Sequence, residues 1–79
     1  MVYVVALPDA ATLGPLLAQA RLLSGLSQRE LARRIGVSQR YIWEMESGEP
    51  TLFLRRLFDV MAATGTTLTA TMGTDGATR

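Results

Sequence analysis

The chain of 79 residues contains no cysteine and no histidine. Without cysteine, no disulfide or thiolate metal site can brace the fold. Without histidine the commonest general base is gone, and with it the serine and cysteine triads and nearly every zinc site. Lysine is absent too. All eight basic residues are arginine, set against seven acidic ones for a net charge of +1. Arginine suits bidentate contact with phosphates and base edges. A GC-rich coding bias would give the same composition. Domains that bind nucleic acid are often far more basic, so a DNA reading must rest on where the charges sit. No segment reaches the roughly 18 apolar residues of a membrane span. The opening MVYVVALPDAA lacks the basic region of a signal peptide.

Hydrophobic residues make up 48% and charged residues 19%, a globular balance rather than a disordered one. A domain this short buries only about 60% of its unfolded surface. Tight helix packing or oligomerisation must supply the remaining stability, and an oligomer is expected.

The chain reads as one domain over residues 1–79, with no internal repeat and no dividing linker. Val2 to Leu7 is apolar and β-branched, stops at Pro8, and predicts a short strand. A helical core follows over residues 12–63. Leu13, Leu16, Leu17, Ala20 and Leu23 recur at helical spacing, with Thr12 as N-cap, Pro15 in the first turn and Gly25 at the end. Ser27 and Glu30 are spaced as a capping box, opening a second helix with Leu31, Ala32 and Ile35 on its inner face. Gly36 stops it. Ser38 caps a third helix, from Gln39 to about Glu46, with Ile42 and Met45 turned inward. Residues 47–50 form a break. A fourth helix runs from about Thr51 to Ala63, with Leu54, Leu57, Phe58 and Met61 inward, and Gly65 ends it. Thr67, Thr69 and Thr71 alternate with Leu68, Ala70 and Met72, which predicts a strand over residues 67–72. Residues 73–79 read as a frayed tail.

Two short helices joined by a tight glycine turn make a helix-turn-helix, in which the first crosses the DNA backbone and the second enters the major groove. Many small helical bundles contain such a corner. The outward face of the third helix sharpens the reading, because Arg40, Trp43 and Glu44 point away from Ile42, with Gln39 at the edge. Gln and Arg are side chains that read adenine and guanine edges. An ordinary polar face with one exposed aromatic is the competing interpretation. Arg29, Arg33 and Arg34 lie on the helix that crosses the backbone, either as phosphate contacts or as a solvated face.

The stretch LLAQARLLSGLSQRELARRIGVSQRYIWEMESGEPTL resembles the Xre/Cro-type helix-turn-helix family. The match runs through Leu17, Arg21, Gly25, Leu26, Ser27, Gln28, Glu30, Leu31, Ala32, Ile35, Gly36, Val37, Ser38, Ile42, Glu46 and Gly48. GEPTLFLRRLFDVMAATGTTLTATM is similar to the end of HipB-like antitoxins, where one helix and a final strand follow the DNA-binding core. The resemblance spans about residues 12–72. It implies base contacts from Ser38, Gln39, Arg40 and Glu44, joined by the outward Trp43. It implies a phosphate contact from Gln28, and Ser27, Arg29, Arg33 and Ser47 are expected to hold phosphate beside it on the backbone side. It pairs Arg21 with Glu46, as a lock between the first and third helices rather than chiefly a phosphate contact. One departure stands out: after Gly48, many relatives carry a basic residue, and here it is Glu49. Arg55 or Arg56 is the substitute on that side.

The fold expected is mainly α, four to five helices of Xre type, with short N- and C-terminal strands forming a dimer sheet. Val4, Leu68, Ala70 and Met72 are the expected interface. Two pairings satisfy the terminal strand: with Val2–Leu7 of the same chain, or with its own copy across a two-fold axis. Leu68, Ala70 and Met72 would lie against the helices near Phe58 and Met61. The function implied is a homodimeric antitoxin that binds double-stranded operator DNA, represses its own operon and partners a HipA-like kinase toxin. A plain repressor without a toxin, and a toxin-neutralising module with little DNA binding, are the alternatives. No catalytic residue, cofactor, metal or membrane is expected, and the resemblance implies a bacterial cytoplasmic protein associated with the nucleoid.

Overall fold

The computed structural model describes residues 2–73. In chain order it has strand β1 (Val2–Leu7), a single 3-10 turn (Ala10–Thr12), helices α1 (Leu13–Leu23), α2 (Gln28–Ile35), α3 (Gln39–Ser47) and α4 (Leu52–Ala63), and strand β2 (Leu68–Gly73). The mainly helical class with two terminal strands is the one expected.

Local chemistry sets most boundaries. The Ser27 hydroxyl accepts the Glu30 N–H at 3.0 Å while the Glu30 carboxylate accepts the Ser27 N–H at 2.8 Å, closing the capping box of α2. Gly36 ends α2 at φ +78°, a left-handed turn that a side chain would resist. Ser38 caps α3 and Thr51 caps α4 through their hydroxyls. The start of α1 differs from expectation. Thr12 caps nothing. Its N–H and hydroxyl are tied back to Asp9, which caps the 3-10 turn. Asp9 offers a charged acceptor three residues ahead of Thr12, so the chain turns earlier than the leucine periodicity indicates.

β1 and β2 pair antiparallel within the chain, from Val2 opposite Gly73 to Leu7 opposite Leu68. Cross-strand partners share a face. Tyr3, Val5 and Leu7 therefore lie with Met72, Ala70 and Leu68, and Val2, Val4 and Ala6 with Gly73, Thr71 and Thr69. β2 touches α1, and the half-burial of Leu7, Ala70 and Met72 marks the helix side. The strand begins at Leu68 rather than Thr67, because the chain is still closing α4 there: the Thr66 N–H donates to the Met61 carbonyl at 2.8 Å. Gly73 belongs to β2 rather than to a tail. The remainder of that expected tail lies outside the described residues.

The core is small. Among the described residues only Ala10, Ala32 and Ile42 are buried. Leu54, Phe58 and Met61 are half-buried, in line with their expected inward side. Ile35, Met45 and Leu57 are exposed, against expectation. Ile35 sits in the last turn of α2, Met45 lines a groove left open between α1 and the start of α4, and Leu57 is on the outer side of α4. Helical periodicity identifies a face, but a neighbour must cover it. No helix of the described residues is long and apolar enough to cross a membrane.

Candidate nucleic-acid interface

The unit at the centre of the molecule is α2, the Gly36–Val37 turn and α3. Gly36 and Val37 both donate to the Ala32 carbonyl, at 2.9 and 3.0 Å, so the turn folds back on the helix it ends. Ala32 and Ile42, each only 2% exposed, are where α2 and α3 meet. A small residue opposite a branched one lets two short helices approach closely. With Ile42 pinned inward, the 100° step of a helix turns the opposite side of α3 to solvent. Arg40, Trp43 and Glu44 are all exposed, as is Gln39, and Trp43 is half bare at 51%. The Arg40 Nε lies 3.3 Å from the Glu44 carboxylate. That pair is solvent-screened, worth about 0–1 kcal/mol, so either side chain can be redirected at little cost.

Tyr41 is a further exposed aromatic on α3. Sequence reasoning did not single it out. The available signal was its place three residues after the Ser38 cap, whose hydroxyl takes the Tyr41 N–H at 3.0 Å.

Behind this face lies a locked corner. Arg21 on α1 grips Glu46 on α3 through Nε at 2.7 Å and Nη2 at 3.1 Å. Its Nη1 donates to the Leu26 carbonyl at 2.9 Å. The two side chains are only 12% and 7% exposed. Glu46 also accepts the Gln28 amide at 3.0 Å. Three elements thus converge on one carboxylate. The Arg21 hydrogen bonds hold Glu46 below the usual carboxylate range, outweighing the opposing effect of burial, and Gln28 adds to the shift. The same bond raises Arg21.

Gln28 therefore serves the corner in the free chain, and its amide keeps a second hydrogen for an outside acceptor. The Ser27 and Ser38 hydroxyl oxygens each accept a backbone N–H, leaving their hydrogens to donate outward. Ser47 donates to the Trp43 carbonyl at 2.6 Å and presents an acceptor instead. Arg29 and Arg33 are exposed one turn apart on α2. Glu30 beside them is held low by the Ser27 backbone and hydroxyl bonds, with Arg33 and Arg34 adding charge attraction.

Sequence comparison agrees with this geometry. The family model described as helix-turn-helix matches residues 17–70, more than half of the chain. No curated protein and no solved structure matches it. The matched span runs from within α1 to β2 and contains the whole α2–turn–α3 unit. The chain belongs to the Xre-type helix-turn-helix family and is a DNA-binding transcription regulator.

Proposed function

We propose that the chain is a homodimeric repressor of its own operon and the antitoxin partner of a HipA-like kinase toxin. The observation that carries the DNA reading is the outward face of α3, where Gln39, Arg40, Trp43 and Glu44 stand exposed on a helix fixed from behind by Ile42 and Glu46. Ser38, Gln39, Arg40, Trp43 and Glu44 read bases in the major groove. Ser27, Gln28, Arg29, Arg33 and Ser47 hold the flanking phosphates and fix the register. Repression is by occupancy, with two α3 helices in successive major grooves of a pseudo-palindromic site.

The dimer reading is supported by the terminal sheet. A two-stranded ribbon is marginal alone. Val4 is 68% exposed on its outer face and Leu68 is exposed at its end, while Ala70 and Met72 are half-covered. Pairing the free edge of β2 with its copy joins two ribbons into four strands and satisfies the backbone groups of that edge. The antitoxin reading is supported by the C-terminal end, where one helix and a closing strand follow the recognition unit.

The test is a mobility shift on the region upstream of the chain's own reading frame, with co-purification of the adjacent gene's product. Specific shift with a co-purifying kinase supports the whole proposal. Specific shift without any partner leaves a plain repressor, and a co-purifying kinase without shift leaves a neutralising module.

A further inference from the structure

Arg40, Trp43 and Glu44 stand at i, i+3 and i+4 on α3, so one turn of helix presents all three on one face. All are exposed, and Trp43 is half bare at 51%. It is the only tryptophan of the chain. Its carbonyl accepts the Ser47 hydroxyl, but among the described residues no hydrogen bond engages its indole. Arg40 reaches Glu44 through Nε alone, which leaves both of its Nη groups and the Glu44 Oε1 open. The helix beneath them is fixed, because Ile42 is buried and Glu46 is held by Arg21. A side chain on this face therefore meets a base edge at a set position.

In a major groove these side chains have few counterparts. Phosphates repel a carboxylate, and guanine O6 and N7, adenine N7 and thymine O4 are all acceptors. Only the cytosine N4 and adenine N6 amino groups donate. Glu44 therefore fits over a base edge and not over the backbone. Trp43 adjoins it in the chain, about 100° round the helix, so it lies over the same base pair or the next. An indole is apolar apart from one N–H. The apolar group that unmodified DNA offers in this groove is the C5-methyl of thymine. We infer that Trp43 reads a thymine C5-methyl group in each half-site, beside the cytosine or adenine amino group that Glu44 takes. The inference rests on the base-reading role of α3 and adds the identity of the chemical group recognised there. Covering the methyl with the indole removes apolar surface of both from water, which is favourable and needs no directional bond. Arg40, with its Nη pair free, adds a guanine beside them.

Uracil differs from thymine on this edge only by the missing methyl, and supplies the probe. The region upstream of the chain's own reading frame is amplified once with thymine and once with uracil in its place, and fluorescence anisotropy compares the two duplexes for the full-length chain. One buried methyl corresponds to about fourfold in affinity, so a dimer covering two half-sites should bind the uracil duplex about fifteenfold more weakly. Trp43→Ala removes an exposed side chain, so the far-UV circular dichroism stays unchanged, and the variant should bind both duplexes alike. Low salt, used for every chain, strengthens the phosphate contacts and keeps the variant in the measurable range. Arg40→Ala, which also weakens the operator complex, should retain the uracil penalty. An unaltered chain that binds both duplexes equally overturns the inference. So does a penalty that persists in Trp43→Ala, or one that vanishes in Arg40→Ala as well, because the methyl would then be felt elsewhere. A chain that prefers neither duplex over a scrambled one overturns the base-reading role of α3 itself, a failure distinct from the others.

Discussion

Arg40 and Glu44 stand one turn apart on the outer face of α3, bridged at 3.3 Å. Neither side chain supports the core, so their value lies in what they meet outside. A bidentate arginine–guanine contact is worth about 1–3 kcal/mol of discrimination. Arg40→Ala should therefore leave the melting temperature unchanged and collapse the preference for operator over scrambled DNA. A preserved ratio in a competition shift would remove Arg40 from the base-reading set. Glu46 is the opposite case. It accepts from Arg21 and Gln28 and is almost covered. Glu46→Ala leaves the Arg21 guanidinium in a shielded site without its acceptor, at a cost of about 1–3 kcal/mol. The pH dependence follows from the lowered native pKa of Glu46. The unfolded chain binds that proton first, so the contribution is fully present above the ordinary glutamate value of about 4.3 and is lost as pH falls through the lower native value. Thermal melts from neutral to acid pH should show a steeper acid loss for the unaltered chain than for Glu46→Gln. Parallel curves would mean that the pair adds nothing to stability. The Arg21–Glu46 pair was legible in the sequence through its family spacing. The bond from Gln28 was not, because it spans 18 residues and exists only once α2 lies across α3.

At the scale of elements, what was legible is what local chemistry decides. Ser27 and Ser38 cap the helices they precede, and Gly36 turns the chain between α2 and α3, whereas Thr51, read as the first residue of α4, is its cap. What was not legible depends on neighbours. Met45, Ile35 and Leu57 have the right period for a core and lack the covering element. Gly14 is the clearest example of a hidden packing constraint. Read alone, it is a helix-weakening residue in the first turn of α1. In the fold, a Cβ built on it would sit 2.7 Å from the Glu46 carbonyl oxygen and 3.0 Å from that of Met45. Both are backbone atoms of α3 and cannot swing aside. Two effects compete in Gly14→Ala. Alanine gains about 0.5–1 kcal/mol in helix propensity. Forcing a methyl group into a tight contact costs about 1–3 kcal/mol. The clash wins, and the variant should melt at a lower temperature than the unaltered chain. Because α1 also carries Arg21, its displacement should loosen the Glu46 corner and weaken operator binding as well. A stabilised Gly14→Ala would show that α1 and α3 stand further apart than this crossing allows.

The whole molecule has a net charge of only +1, so its affinity for DNA depends on how the arginines are distributed. Arg21 is consumed internally and Arg40 is exposed on the outer face of α3, whereas Arg29 and Arg33 are exposed together on α2, the helix proposed to cross the backbone. The partner of β2 was legible only as a pair of alternatives, since alternation gives a strand its faces without naming the edge it joins. The structure pairs β1 with β2 and, among the described residues, leaves the other edge of β2 unpaired. On the proposed reading, two copies on one operator present the Arg29–Arg33 pair twice, for about four phosphate contacts. Each neutralised phosphate contributes about −0.9 to the slope of log affinity against log salt, so a dimer should show a slope of about −3.6. A chain that binds as a monomer should show about half of that. Arg33→Gln removes one contact from each copy and should bring the dimer slope to about −1.8, weakening operator and scrambled DNA alike, since phosphates carry no sequence information. Fluorescence anisotropy over a salt series measures both quantities. An unchanged slope in Arg33→Gln would place Arg33 away from the backbone. A loss confined to the operator would instead make Arg33 a base-reading residue, and α2 would have to lie deeper in the groove than a helix crossing the backbone does.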